Sequence, residues 1–387
     1  MDAGRFIASK IKFRGRLAVV AIAVSFFVII ISLAISGGFR EQIRGGLSSL
    51  GGDVAITGTR VNYFSPDDPI LSDPSWLPDV QKVKGVSEIV PVAYRAGIVR
   101  NGSSIQGVLI KAMPSADTSA LSVSIPRRLS TRMGLKPGDE MTTYFVGERL
   151  KIRKFKVRDV HDPLVEADEN LVVYASLPDI QRVNGWQPNQ VSALEVRLDA
   201  RFRGRDAQVR KASEIGIIAS MGTADDEPHV LAKAAANTYS ALFDWLELID
   251  FNVLAILLLM TLVAGFNMIS GLLIMLFRNI STIGTLKAVG MTDRHIAGVF
   301  LRVASGTVLK GLAIGNAAAL LFCLIQGTTH LIRLNPANYF VSFVPIHVAP
   351  FQILAVDIAA YAAIMLLLLI PSLFISKVDP AETVRVK

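Results

Sequence analysis

The stretch Arg278-Asn-Ile-Ser-Thr-Ile-Gly-Thr-Leu-Lys-Ala-Val-Gly-Met291 decides how this chain is built. It is short, it carries Arg278 and Lys287 but no acid, and a long apolar segment lies on each side of it. Upstream, Phe251 to Phe277 is free of charge; downstream, Gly311 to Ile332 holds no Asp, Glu, Lys or Arg. A helix needs roughly 20 apolar residues to cross about 30 Å of hydrocarbon, so each segment is long enough to be a span. Further out, Leu17 to Gly38 is also charge-free, and Val348 to Ser376 carries one charged residue, Asp357. The spacing predicts a membrane protein of four transmembrane helices, one near the N-terminus and three near the C-terminus. A large α+β domain is inserted between the first and the second.

Composition agrees. Hydrophobic residues make up 51% of 387 and the mean hydropathy is +0.46, more than a soluble domain of this length needs. The formal charge of +8 is not spread as a nucleic-acid-binding surface would be. Between Arg40 and Lys233 there are 26 Lys/Arg against 24 Asp/Glu, so most of the excess belongs to segments in and around the spans. Arg5, Lys10, Lys12, Arg14 and Arg16 precede the first span. Arg278, Lys287 and Arg294 separate the second from the third, and Lys377, Arg385 and Lys387 follow the fourth. The link between the third and fourth has only Arg333. Excess Lys/Arg marks the cytoplasmic side, which puts both termini and the quoted stretch inside and the large domain outside. The first apolar run exceeds the roughly 7–15 residues of a signal-peptide core, so it reads as a retained span. A single cysteine, Cys323, lies within the third span, so the outer domain is held by its own core without an internal disulfide.

These signals divide the chain into a basic amphipathic helix over 1–16, a first span over 17–38 and an outer domain over 39–243. A second span with an outer extension follows over 244–278, and an intracellular helix over 279–295. The third span covers 296–332, a short outer loop 333–347, the fourth span 348–376 and an inner tail 377–387. In the outer domain the pattern gives strands at Asp53–Thr57, Val86–Val99, Ser104–Lys111, Met141–Val146, Leu150–Val160, Leu171–Ala175 and Ala193–Leu198. Asn101-Gly102 signals a hairpin, and Met141–Val146 and Leu150–Val160 read as paired strands joined at Gly147-Glu148. Helices are expected at Ser75–Lys84, Leu129–Leu135 and Arg205–Ile218.

Chemistry is hard to find there. Asp159, His161, Asp162, Glu166, Asp168 and Glu169 could in principle ligate a metal, but the spacing fits no ligand motif and Pro163 interrupts it, so the run reads as a solvated acidic loop. No Gly-x-Ser-x-Gly elbow occurs. No phosphate loop of the Gly-x4-Gly-Lys-Ser/Thr type occurs either, so this sequence alone is not read as an ATPase. Within 279–291, Ile280, Ile283, Leu286 and Val289 recur every third residue, which predicts a short helix with one apolar stripe. Its other face would carry Asn279, Thr282, Thr285 and Lys287, and Gly290 would end it. Among polar residues inside spans, Asp357 reads as a helix–helix lock or else a contact to substrate, Lys310 as a side chain that snorkels to the headgroups, and Asn267 as an interhelical hydrogen-bonder. Gly265, Ser270 and Gly271 sit near Asn267. Asp244, Glu247 and Asp250 form an acidic stripe on the outer extension of the second span.

The run from Phe266 to Ile296 is similar to the span-plus-coupling-helix segment of the FtsX/MacB-type (type VII) permeases of ABC transporters, and most to the lipoprotein-releasing LolC/LolE kind. Phe6–Lys10, Arg128–Asp139, Tyr339–Ile346 and Asp379–Glu382 resemble further segments of that family. Ser281-Thr282 stand where members often carry acids. The resemblance implies a bacterial inner-membrane subunit with a periplasmic MacB-like domain and no catalysis of its own. ATP and Mg would be bound by a separate cytoplasmic ATPase dimer that docks on Asn279, Ile280, Thr282, Ile283, Thr285, Leu286, Lys287, Val289, Gly290 and Met291. A second permease, identical or related, would pair with it. Phe26, Phe27, Ile30, Phe251 and Leu254 would line a lateral cavity among membrane lipids. A lipoprotein would enter there and pass to a periplasmic carrier. The same resemblance also admits a MacB-like efflux permease or FtsX-like signalling to a cell-wall hydrolase.

Overall fold

The structure, a computed structural model, describes residues 16–60, 63–64, 68–114, 121–147, 150–162 and 171–372, with 337 and 338 in backbone only. The expected N-terminal basic helix apart from Arg16, the tail over 377–387, and Glu166, Asp168 and Glu169 lie outside these residues.

In chain order, helix α1 (Arg16–Gly51) leads to strands β1 (Val54–Gly58) and β2 (Ile70–Leu71) and helix α2 (Leu77–Gln81). Strands β3 (Val86–Asn101), β4 (Ser104–Met113) and β5 (Ser122–Pro126), helix α3 (Arg127–Met133), and strands β6 (Glu140–Phe145), β7 (Lys151–His161) and β8 (Leu171–Ser176) follow. Then come α4 (Leu177–Asn184), β9 (Gln190–Val191), β10 (Ala193–Leu198), α5 (Arg205–Gly222), β11 (Val230–Ala234) and α6 (Ala235–Thr238). The C-terminal part is helical: α7 (Ser240–Arg278), α8 (Ile280–Ala288), α9 (Asp293–Thr329), α10 (Pro336–Tyr339), α11 (Pro350–Leu367) and α12 (Leu369–Ser372). Two compact units result. One comprises the chain up to Glu41, Leu246–Leu334 and the chain from Phe343 onward; the other comprises Gln42–Trp245 and Asn335–Ser342.

The helical unit contains the apolar parts of four helices long and apolar enough to cross a membrane: Arg16–Gly51, Ser240–Arg278, Asp293–Thr329 and Pro350–Ser372. The first helix runs past the expected boundary at 38. Arg40, Glu41, Gln42 and Arg44 end the apolar run, but they are good helix formers, and the helix stops only where Gly52 takes a positive φ of 72°. The third begins at Asp293, after an extended Thr292, and ends before His330, which adopts a left-handed conformation. Pro350 sits in the first turn of α11, where its missing N–H costs nothing.

Packing inside this unit is set by small residues. Gly311-Leu-Ala-Ile-Gly315 on α9 places two glycines four apart against α1. A Cβ on Gly311 would lie 2.6 Å from Ile22 Cγ2, and one on Gly315 2.5 Å from the Ala23 carbonyl oxygen. Hydrocarbon gives apolar side chains no reason to leave it, so association comes from dispersion and hydrogen bonds, both of which need close approach. Ile22, Phe26, Met268, Leu272, Phe300 and Ile364 fill the interior so formed.

The other unit is built on β3, whose 16 residues serve two sheets. Its first half pairs with β10 in the order β11-β1-β10-β3. Its second half opens the ring β3-β4-β8-β5-β7-β6, which closes because β6 pairs back to β3. Closure leaves no edge strand in that ring to template aggregation. The hairpin at Asn101-Gly102 forms with Gly102 at φ 57°, and the expected β6–β7 pair is antiparallel over six residues each. Phe155 and Val157 of β7 point into the ring and Ile152 points out. At Gly97 of β3 a Cβ would meet Thr143 Cγ2 at 2.8 Å, so the close approach of β3 and β6 requires glycine.

A fully buried ion pair fastens the last turn of α1 to this sheet. Lys111 Nζ lies 2.7 Å from Glu195 Oε2 and also donates to the carbonyl oxygens of Leu50 (2.8 Å) and Ser49 (3.2 Å). An ammonium at a helix C-terminus satisfies orphan carbonyls and complements the helix dipole. Tyr94 donates a further hydrogen bond to Glu195. Burial pushes the Glu195 carboxyl up and the Lys111 ammonium down from their ordinary values, and each opposes the other's shift. Lys111→Met should therefore strand a buried carboxylate and cost about 3–5 kcal/mol, while Lys111→Met with Glu195→Leu should recover most of it. Trp76, Trp186 and Trp245 all lie in this unit, so denaturant unfolding followed by tryptophan fluorescence checks the expectation.

Candidate functional site

The short helix α8 is held at both ends by backbone chemistry. Asn279 leaves helical geometry, and its side-chain amide donates to the Met275 carbonyl at 2.8 Å, closing the end of α7. At the other end Met291 N–H donates to Leu286 O and Gly290 N–H to Lys287 O, both 2.9 Å, with Gly290 at φ 95°. This 6→1 and 5→2 pair is a Schellman motif, and its usual apolar companion is present as Leu286 and Met291, both packed on the helical core. Thr292 then starts α9, with its hydroxyl 2.7 Å from His295 Nδ1.

One member of the expected apolar stripe is misplaced. Ile283 is buried and Ile280 and Leu286 are packed against the core, but Val289 is 83% exposed. Steps of three residues fall short of a full turn, and over the nine residues from Ile280 to Val289 the shortfall reaches about 180°. Met291, brought back by the Schellman turn, takes the inward place. Lys287 is not free on the outer face either: its ammonium pairs with Asp293 at 2.9 Å and its side chain is 11% exposed. The exposed face is Ser281, Thr282, Thr285, Ala288 and Val289, uncharged throughout.

Asp357 meets a partner that the sequence reading did not weigh. Asn316 Nδ2 on α9 donates to Asp357 Oδ2 on α11 at 2.5 Å, and Ser305 and Tyr361 hydroxyls bridge the same two helices at 2.8 Å. Asn316 is uncharged and so did not interrupt the apolar run. Its place within that run was the available signal. Lys310 is exposed, as snorkelling requires. Asn267 makes no hydrogen bond across helices among the described residues. Ala264, Met268, Leu272 and Met275 form the buried side of α7. Asn267 is 100° round from Met268, exposed, and has no partner among the described residues.

The expected lateral cavity divides. Phe26 and Ile30 are completely buried in the helical cores, and Phe27 packs edge-on against Phe322, because α9 and its glycines lie close against that face of α1. Phe251 and Leu254 are exposed. An apolar groove of about 600 Å³ lies elsewhere, between α7 and α11, lined by Leu258, Leu262, Val356, Ala363 and Leu366. Of the acidic stripe on α7, Asp250 accepts from Ser36 Oγ at 2.7 Å and pairs with Arg40 at 3.4 Å, and Asp244 pairs with Arg205.

In the sheet unit, the described residues of the acidic run make local contacts. Ser124 Oγ donates to Asp159 and lies 2.9 Å from His161 Nδ1, and Asp162 pairs with Arg127. Burial holds the His161 imidazole below its usual range. Among the described residues no cluster of three or more His, Cys, Asp or Glu could hold a metal.

If Asn316–Asp357 is a helix lock, Asp357→Leu should lower the thermal midpoint of the solubilised protein by the equivalent of about 1–2 kcal/mol. Asn316→Leu added to it should restore the midpoint, and a double variant that stays as destabilised as the single one overturns the lock.

Comparison with known proteins bears on the C-terminal helices and on the whole chain. Residues 254–380 match the family described as FtsX-like permease C-terminal. The lipoprotein-releasing system transmembrane protein LolE of Haemophilus influenzae is 21% identical over 417 aligned positions, which cover 95% of this chain and 93% of that one. The periplasmic region of MacB from Actinobacillus actinomycetemcomitans aligns with a TM-score of 0.32 at 11% identity, covering 50% of this chain and 93% of its own. The extracellular domain of the noncanonic ABC-type transporter YknZ from Gram-positive bacteria gives 0.28 at 11%, covering 46% and 98%. Residues 254–380 thus form an FtsX-like permease C-terminal region, and with its four membrane-length helices the chain as a whole is similar to a multi-pass permease of an ABC transporter.

Proposed function

We propose that this permease extracts acylated lipoproteins from the outer leaflet of a bacterial inner membrane and passes them to a periplasmic carrier. The observation that carries the reading is the similarity to a lipoprotein-releasing permease across nearly the full length of both chains. Both termini and α8 lie in the cytoplasm on this reading, where the Lys/Arg excess falls, and the sheet unit lies in the periplasm. ATP and its Mg are bound by a separate ATPase dimer, which docks on the uncharged outer face of α8. The Schellman turn and the Lys287–Asp293 pair hold that helix against the bundle, so a push on its outer face moves the spans rather than bending a loop. Exposed Phe251 and Leu254, at the outer end of α7, offer an apolar surface to acyl chains. Lifting such chains out of lipid costs about 0.8 kcal/mol per CH₂, so a driven step is needed.

Two measurements test this. The complex, purified in mild detergent with its ATPase, should yield triacylated protein by mass spectrometry, and that protein should leave on addition of ATP and a soluble carrier. A complex that turns over ATP yet holds no acylated protein and ignores one when supplied overturns the reading. Separately, Thr285→Arg with Ala288→Arg should lower ATP turnover of the complex at least tenfold while permease yield and unfolding temperature stay unchanged. Unchanged turnover would remove α8 as the docking helix.

A further inference from the structure

Asp357 belongs to the buried stripe of α11. Ile353, Asp357, Ala360 and Ile364 recur in steps of four, three and four, and all are buried. The carboxyl is therefore set among packed helices and not on the lipid side. Asn316 Nδ2 donates to its Oδ2 at 2.5 Å. Two oxygens of the same pair remain. Asp357 Oδ1 and Asn316 Oδ1 are both buried, and neither has a hydrogen-bond partner among the described residues. An ionised carboxylate and an amide carbonyl only accept, so neither oxygen can satisfy the other.

The surroundings bring no counter-charge. The runs 17–38 of α1 and 251–277 of α7 contain no charged residue. On α9 the titratable side chains within three turns of Asn316 are Lys310, six residues before it, and Cys323, seven after, so about 9 and 10 Å along the axis. Lys310 is exposed. On α11 the other titratable group is Tyr361, whose hydroxyl lies 2.8 Å from Ser305 Oγ. A carboxylate buried without a cation is so costly that such a group holds a proton instead.

We infer that Asp357 is a proton-binding site. Its carboxyl is protonated on Oδ1, and this O–H donates to Asn316 Oδ1 while the Asn316 amide donates to Oδ2. A carboxylic acid and a carboxamide are complementary in this way, since each sets one donor beside one acceptor. One proton, taken from water, removes the charge and satisfies both remaining oxygens. A water molecule between them would satisfy the oxygens but leave the charge. Loss of the proton turns two acceptors toward each other and restores that charge, so closing α9 on α11 and protonating Asp357 are one linked event. The neutral pair also gives the membrane potential no charge to act on when α11 moves. The inference rests on α9 and α11 being membrane helices and not on the cargo.

The test is infrared difference spectroscopy of the full chain, with its ATPase, in lipid bilayers at neutral pH. A protonated carboxyl has a carbonyl stretch above the amide region, and an ionised one does not. Subtracting the spectrum of Asp357→Asn, whose amide can close the same ring, should show one such band in the unchanged protein. In Asn316→Leu the band should move to higher frequency, because the carbonyl loses the amide that donates to it. Carbon-13 at the aspartate carboxyls of the unchanged chain should displace the band, which assigns it to an aspartate even where a variant fails to assemble. Carboxylate bands for Asp357 without a protonated carbonyl overturn the inference, whether a water or a cation then joins the two oxygens. A protonated band that Asn316→Leu leaves in place overturns the pairing.

Discussion

Nothing in hydrocarbon will hydrogen-bond to an amide, and most of the helical unit follows from that. It forces the backbone of each apolar segment into a helix that satisfies itself. It also withholds the ordinary driving force for packing, so the helices meet where Gly311 and Gly315 let α9 lie against Ile22 and Ala23. Polar side chains inside the spans become specific connectors under the same constraint. Asn316 finds Asp357, and the Ser305 hydroxyl finds Tyr361. Asn267 finds no such partner among the described residues.

In the sheet unit, water is available at the surface, and the problem is reversed. An apolar core forms readily, and what must be specified is how the ends are tied. The ring of six strands removes its own edges, and the shared strand β3 joins it to the second sheet. The Lys111–Glu195 pair then fixes the last turn of α1 upon that framework. A buried ion pair is weak evidence for stability, since desolvation consumes much of its attraction. Here the lysine also takes two helix-end carbonyls, and these contacts make its position unique.

Sequence made some of this visible and hid the rest for physical reasons. The spans, the Asn101-Gly102 hairpin, the β6–β7 pair and the glycine stop after α8 were legible because each is written in a run of adjacent residues. The 36-residue length of α1 was not, since the hydropathy signal ends with the apolar residues while the helix ends at Gly52. Strand β5 is five residues long and pairs with β7 and β8, far away in sequence, so no local pattern announced it. Phe26 and Ile30 read as apolar and available. Their burial follows from two glycines some 290 residues later. Val289 was assigned inward by counting in threes, which fails over nine residues. Asn316 passed unnoticed because it has no charge, although its amide is what Asp357 needs.

The end of α8 is held by main-chain hydrogen bonds, a glycine and two inward apolar side chains. The side chains of Ser281, Thr282, Thr285 and Ala288 contribute nothing to that stop. The geometry of the helix and the identity of its outward residues are therefore separable. Substitutions on the outward face can accumulate by drift or selection while the stop remains fixed. With the ATPase docked on that face as proposed, a lineage can exchange one motor subunit for another through a few point changes and leave the helix stop intact.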